Sequence, residues 1–170
     1  MAHRTGRRHA SETYPENSRA AGATVFARNY ARGPASNTAI ATAGGGGTQI
    51  PWDFIESGAP LGVNVPITPR ATGRILFSGA VVVQNTTGGV ITVTLQVEVD
   101  NATLPAPLVK ATIAANAFET IPFEMISEAL LPVGTTANIE VIMTASAGAS
   151  VNIVQDSSTL EIEELQLATG

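Results

Sequence analysis

From Ile91 to Val99 hydrophobic and polar residues alternate without a break. Ile91, Val93, Leu95, Val97 and Val99 fall on one face, and Thr92, Thr94, Gln96 and Glu98 on the other. Successive strand side chains point to opposite sides, so this is the pattern of an antiparallel strand with one buried and one solvated face. The preceding run GRILFSGAVVVQN predicts a second strand, with NTTGG as the hairpin turn between them. Further short strands are predicted in PLVKATIA, FETIPFEM, ANIEVIMTAS, SVNIVQD and STLEIEEL, with an early one around PWDFI. Clusters of Pro, Gly, Asn or Ser separate them. SEALLPVGTT is open to either a brief helical turn or a long loop. Roughly eight strands without a helical period predict an all-β sandwich or barrel over residues 50–170.

Before Ile50 the pattern is absent. Residues 1–43 are dominated by Ala, Arg, Ser, Thr, Gly and Asn, a composition that cannot bury enough apolar surface to fold alone. They hold both tyrosines of the chain, Tyr14 and Tyr30, and the apolar pair Val25–Phe26. Charge divides at the same place. Residues 1–44 carry six of the nine basic residues, Arg4, Arg7, Arg8, Arg19, Arg28 and Arg32, against two acids. The remainder carries Arg70, Arg74 and Lys110 against twelve acids, within a net charge of −5. Residues 1–43 therefore read as an extended basic arm on an acidic body. Its six arginines, with Tyr14, Val25, Phe26 and Tyr30, are the residues expected to grip a partner, since Tyr and Arg are what interfaces concentrate. Gly44, Gly45, Gly46 and Gly47 follow, and residues 44–49 are expected to act as a hinge. On this reading removal of residues 1–43 leaves the body folded.

The glycine run is not a phosphate loop, because no lysine follows Gly47 and Pro51 blocks a helix at the required place. The chain has no cysteine, and both histidines, His3 and His9, lie in the arm. The body thus lacks the residues of a Ser-His-Asp triad, a thiol nucleophile or a zinc–histidine centre. Glu161 and Glu163 share a strand face, with Glu164 beside them. Paired carboxylates serve glycoside hydrolysis or calcium binding, but a solvated strand face is the plainer reading. Asp100 and Asn101 read as a turn after a strand, and the sequons at Asn85 and Asn101 matter only in a secreted eukaryotic chain. No enzyme activity and no cofactor are expected. No apolar run approaches the ~20 residues of a bilayer span. The basic N-terminus lacks the apolar stretch of a signal peptide, and no membrane association is expected.

The segment VGTTANIEVIMTASAGASVNIVQDSSTLEIEELQ runs strand, glycine-containing turn, strand, polar turn, terminal strand, closing on Leu160, Ile162 and Leu165. In strand order and turn placement residues 50–167 resemble the C1q/TNF-like jelly-roll heads. The resemblance implies a jelly-roll β-sandwich packed as a threefold homotrimer, and it carries over no catalytic site. Phe118 and Phe123 become candidates for the trimer axis or for the core of one subunit. The chain departs from secreted members of that group in having a basic arm in place of collagen-like Gly-X-Y repeats. With the arm, the resemblance points to an accessory protein of a tailed-phage virion. It would be a decoration, cement or head-spike protein on the capsid surface, bound through its arm to the major capsid protein or another virion protein. Two other readings stay open. A tail-fibre or spike head that recognises a host receptor is one, although one Trp and no Tyr in the body is poor for sugar stacking. A coat protein with a nucleic-acid-binding arm is the other. Six arginines spread among acids make a thin electrostatic footprint, so nucleic acid is not the expected partner.

Overall fold

In the computed structural model, residues 26–40, 47–100, 102–103, 109–127, 129–146 and 151–165 are described. They contain thirteen strands and no helix: β1 (Arg28–Gly33), β2 (Thr38–Ala39), β3 (Thr48–Gln49), β4 (Phe54–Ile55), β5 (Val65–Ile67), β6 (Ile75–Asn85), β7 (Ile91–Val99), β8 (Ala102–Thr103), β9 (Val109–Ile113), β10 (Phe118–Ile126), β11 (Ala137–Ala145), β12 (Val151–Ile153) and β13 (Ser158–Glu164). All pair antiparallel, in two sheets. Sheet A is centred on β6, with β10 along one side and β13 and then β12 along the other; β1 and β2 lie outside these, and β4 outside β1. Sheet B is centred on β11 and β7, with β3 and β5 beyond β11, and β8 and β9 beyond β7. The two sheets stack as an all-β jelly-roll sandwich.

The alternation on β7 is realised as read: Ile91, Val93, Leu95, Val97 and Val99 are buried and the intervening residues half-buried. Inward residues of β6 (Ile75, Phe77, Val81, Val83), β11 (Ile139, Val141, Met143) and β13 (Leu160, Ile162) complete the core with Trp52. Each large side chain so buried contributes about 1.5–3 kcal/mol. The β6–β7 hairpin is closed by buried Asn85, whose Nδ2 donates to the carbonyls of Gly89 and Ala114 (both 2.8 Å). That sequon asparagine is sealed in the fold. The early strand around PWDFI is the short β4, with Trp52 bridged to Gly62. SEALLPVGTT forms no helix in its described part; it is a loop pinned by buried Leu131, whose N–H donates to the Gly73 carbonyl (2.7 Å).

The body begins well before Ile50, which corrects the arm boundary. Residues Arg28–Gly33 pair along their full length with β13 and, at Ala31 and Arg32, with β4. The strand escapes a hydrophobic reading because its inward residues are Asn29, Ala31 and Gly33, while Arg28, Tyr30 and Arg32 face out. Buried Asn29 replaces an apolar side chain by being fully bonded. Its Nδ2 donates to Pro66 O (2.7 Å) and Ser57 Oγ (3.0 Å), and its Oδ1 accepts from the N–H of Tyr30 (2.9 Å) and Ser57 (3.2 Å). Gly33 has to be glycine because a Cβ there would lie 2.6 Å from the Pro51 carbonyl oxygen. Thr38–Ala39 add to β12 and Thr48–Gln49 to β11. Removing residues 1–43 would thus strip out two strands. Gly47 is no hinge either: at φ 81° it lies against Ile142 so closely that a Cβ would overlap that side chain. Arg4, Arg7, Arg8, Tyr14, Arg19, Val25, Gly44, Gly45 and Gly46 lie outside the described residues.

Candidate interaction face

The outer faces of the two sheets differ in kind. On sheet B, β7 presents Thr92, Thr94, Gln96 and Glu98, β9 presents Lys110 and Thr112, and β11 presents Asn138 and Thr144. The apolar residue among them, Ile142, is buried beneath Gly47. Glu140 on the same face is buried and accepts from Gln49 Nε2. Such a threonine-rich surface is suited to water.

Sheet A is otherwise. Residues of β10 alternate, with Ile121, Phe123 and Met125 buried and Phe118, Thr120, Pro122, Glu124 and Ile126 facing out. Phe118 is 60% exposed and Ile126 48%. Their registered neighbours on β6 are Gln84, Val82, Ala80, Ser78 and Leu76, all half-buried. One half of the face is therefore an apolar stripe of Phe118, Pro122, Ile126, Leu76, Ala80 and Val82. Of the two phenylalanines picked from the sequence, Phe123 belongs to the core and Phe118 to this surface.

The other half is aromatic and charged. Arg28, Tyr30 and Arg32 project from β1, and Phe54 projects from β4 beside Arg32. The Tyr30 and Phe54 rings lie 6.3 Å apart at 58°, and the Arg32 guanidinium sits over the Phe54 ring at 5.8 Å. Ring faces carry negative potential, so this stacking holds the cation in place. Tyr30, Arg32 and Phe54 enclose a shallow cleft of about 110 Å³. Arg28 is tied down differently, by Glu161 at 2.6 Å and Glu163 at 3.5 Å. Those two carboxylates share the outer face of β13 as the sequence implied, and they act as ion-pair partners. Glu164 does not join them. It points inward, 5% exposed.

Two strand edges of the sandwich, those of β10 and β5, are blunted. The Asn85 and Ser127 N–H groups donate to Ala117 O and Ile75 O (2.8 Å each) at the two ends of the β6–β10 ladder. Odd-numbered residues of β10 therefore bond to β6, and the backbone of even-numbered ones points to the free edge. Pro122 occupies such an outward position and supplies no donor there. On β5, Pro66 does the same, and its carbonyl is already taken by Asn29. Partner strands are not invited at these edges.

No protein-family model matches the sequence, and no curated protein matches it significantly. Among solved structures, the Eiger TNF from S. frugiperda overlays with a TM-score of 0.52 at 12% identity, covering 85% of this chain and 96% of that one. The fold is that of a TNF-like jelly roll. Murine APRIL overlays less closely (TM-score 0.48, 12% identity, 83% of this chain and 100% of that one). A chain of the T13 IBDV viral particle also overlaps, at a TM-score of 0.46 and 16% identity over 91% of this chain. The present chain spans 35% of that longer one. These last two overlaps do not bear on function.

Of the partner-binding residues picked from the sequence, Arg28, Tyr30 and Arg32 come together on sheet A, and Phe26 lies where the chain enters the body. Phe54, Leu76, Val82 and Ile126 were missed. The signal for two of them is in β6, where ILFSGAVVV is apolar at both parities; a strand apolar on both sides is one that is covered on both sides.

Proposed function

We propose that this chain is a non-enzymatic structural protein of a virion. Its jelly-roll body self-associates as a homotrimer through the outer face of sheet A, and its basic N-terminal segment ties the assembly to a capsid or another virion protein. The observation that carries self-association is the contrast between the outer faces: threonines and charges on sheet B, an apolar stripe beside an aromatic cluster on sheet A. Apolar area removed from water contributes about 25 cal/mol per Å², and only sheet A offers such area in one place. The two halves of its face are unlike, so copies pack apolar half against aromatic half. Such a contact is heterologous and closes only where the rotation between copies allows it; the ring we propose has three members, in keeping with the resemblance to TNF-like heads. The virion role rests on joining such a body to residues 1–25, with four arginines against two glutamates. A decoration or head-spike position on a phage capsid is the form of that role we favour.

Light scattering and native mass spectrometry of the full chain test the association. A trimer is expected. Ile126→Lys places a charge in the apolar stripe and should raise the dissociation concentration roughly 30-fold, a hot-spot loss of about 2 kcal/mol, with an unchanged circular dichroism spectrum. A wild-type chain that stays monomeric at high micromolar concentration overturns the proposal.

A further inference from the structure

On the outer face of sheet A, Glu124 and Arg32 each lack an ion-pair partner among the described residues. Glu124 is exposed in the middle of β10, flanked on the same face by Pro122 and Ile126. Arg32 lies in the Tyr30–Phe54 cleft, its guanidinium over the Phe54 ring. The contrast is Arg28, which holds both Glu161 and Glu163. Within one copy Glu124 and Arg32 are kept apart, because β6 and β13 lie between β10 and β1. That is three interstrand spacings, or about 14 Å.

Any contact that covers the apolar stripe also takes the Glu124 carboxylate out of water. An unpaired carboxylate in that position is strongly unfavourable, and a paired, hydrogen-bonded one is tolerated. The opposite half of the face offers Arg32, a cation that holds no carboxylate and is already oriented by an aromatic ring. Arginine keeps its charge and presents a planar fork that matches a carboxylate. We infer that Glu124 of one copy pairs with Arg32 of the next. The inference rests on the self-association reading and adds to it the contact that fixes register and direction. Each contact between copies uses one Glu124 and one Arg32, so a closed ring leaves neither charge unpaired.

Charge exchange tests the pairing. Full-length Glu124→Arg and Arg32→Glu are compared with the double exchange by light scattering over a dilution series, with circular dichroism and thermal melting reporting the fold of each. Each single reversal sets like charges against each other and should raise the dissociation concentration ~100-fold or more. The double variant restores an attractive pair and should return it to within about tenfold of wild type. An oligomeric wild type whose folded single variants associate normally overturns the pairing and leaves the self-association reading standing. So does a folded double variant no better than the singles. A monomeric wild type overturns both.

Discussion

Glu164 ends β13 at an inward position, where Leu160 and Ile162 before it enter the core. Its carboxylate accepts from five backbone N–H groups: Ala27 (3.2 Å) and Arg70 (2.8 Å) at Oε2, and Ala71 (2.8 Å), Thr72 (2.6 Å) and Gly73 (2.9 Å) at Oε1. Burial on its own raises the pKa of such a group. The N–H groups of Arg70, Gly73, Ala71 and Ala27 outweigh it and hold the pKa at about 2, against an ordinary 4.5. The carboxylate thus ties the start of β1 and the turn before β6 to the last strand. Glu164→Gln keeps the shape but loses the charge and turns one acceptor into a donor aimed at donors. It should lower stability by about 2–3 kcal/mol, or roughly 5–10 °C in melting temperature. The pH dependence has a definite sign, since a carboxyl depressed by folding stabilises the ionised native state. That contribution is whole above pH 4.5 and is lost as pH falls from 4.5 toward about 2. Denaturant titrations of wild type and Glu164→Gln should converge across that window. A difference that stays constant from pH 6 to pH 2.5 would show that the charge is not what holds the loop.

At the scale of elements, the prolines of β10 and β5 withhold those two edges from partner strands. Pro122→Val restores an N–H at an outward position of β10 in a residue suited to strands. It should leave the fold intact and increase concentration-dependent sheet association, read by light scattering and thioflavin fluorescence. Association indistinguishable from wild type would remove Pro122 from this role. The same scale explains what the sequence made legible. β7, β9, β10, β11, β12 and β13 follow from alternation because their inward residues are apolar. β1 does not, since Asn29, Ala31 and Gly33 fill its inward positions and are justified only by Ser57, Pro66 and Pro51, residues distant in sequence. β2 and β3 are two residues each, too short to show a period. The candidate face was half visible: Arg28, Tyr30 and Arg32 are residues of the right type assigned to the wrong element. Their partners Phe54 and Ile126 become neighbours of one surface only through the pairing of distant strands.

For the whole molecule, the described part of the body already includes β1, so the anchor we propose is confined to residues 1–25. It carries Arg4, Arg7, Arg8 and Arg19 against Glu12 and Glu16, while the rest of the chain has five basic residues against twelve acids. At full extension 25 residues reach about 80 Å, enough to cross onto a neighbouring protein. In the proposed ring of copies several such segments would stand together, so individually weak contacts would multiply through effective concentration. Two truncations separate anchor from body. Removing residues 1–25 spares β1, Asn29 and the Ala27 N–H held by Glu164. The shortened chain should keep its melting temperature within a few degrees and its oligomer size. Removing residues 1–43 deletes β1 and β2, exposes the edge of β13 and breaks the Asn29 bonds to Ser57 and Pro66. That chain should fail to fold. Cosedimentation with particles lacking the protein then reads the function directly. The full chain should bind, the chain without residues 1–25 should lose at least ~100-fold in apparent affinity, and raising salt should weaken the full chain most, because exposed charge contacts are screened. Undiminished binding by the chain lacking residues 1–25 would place the anchor on the jelly roll itself.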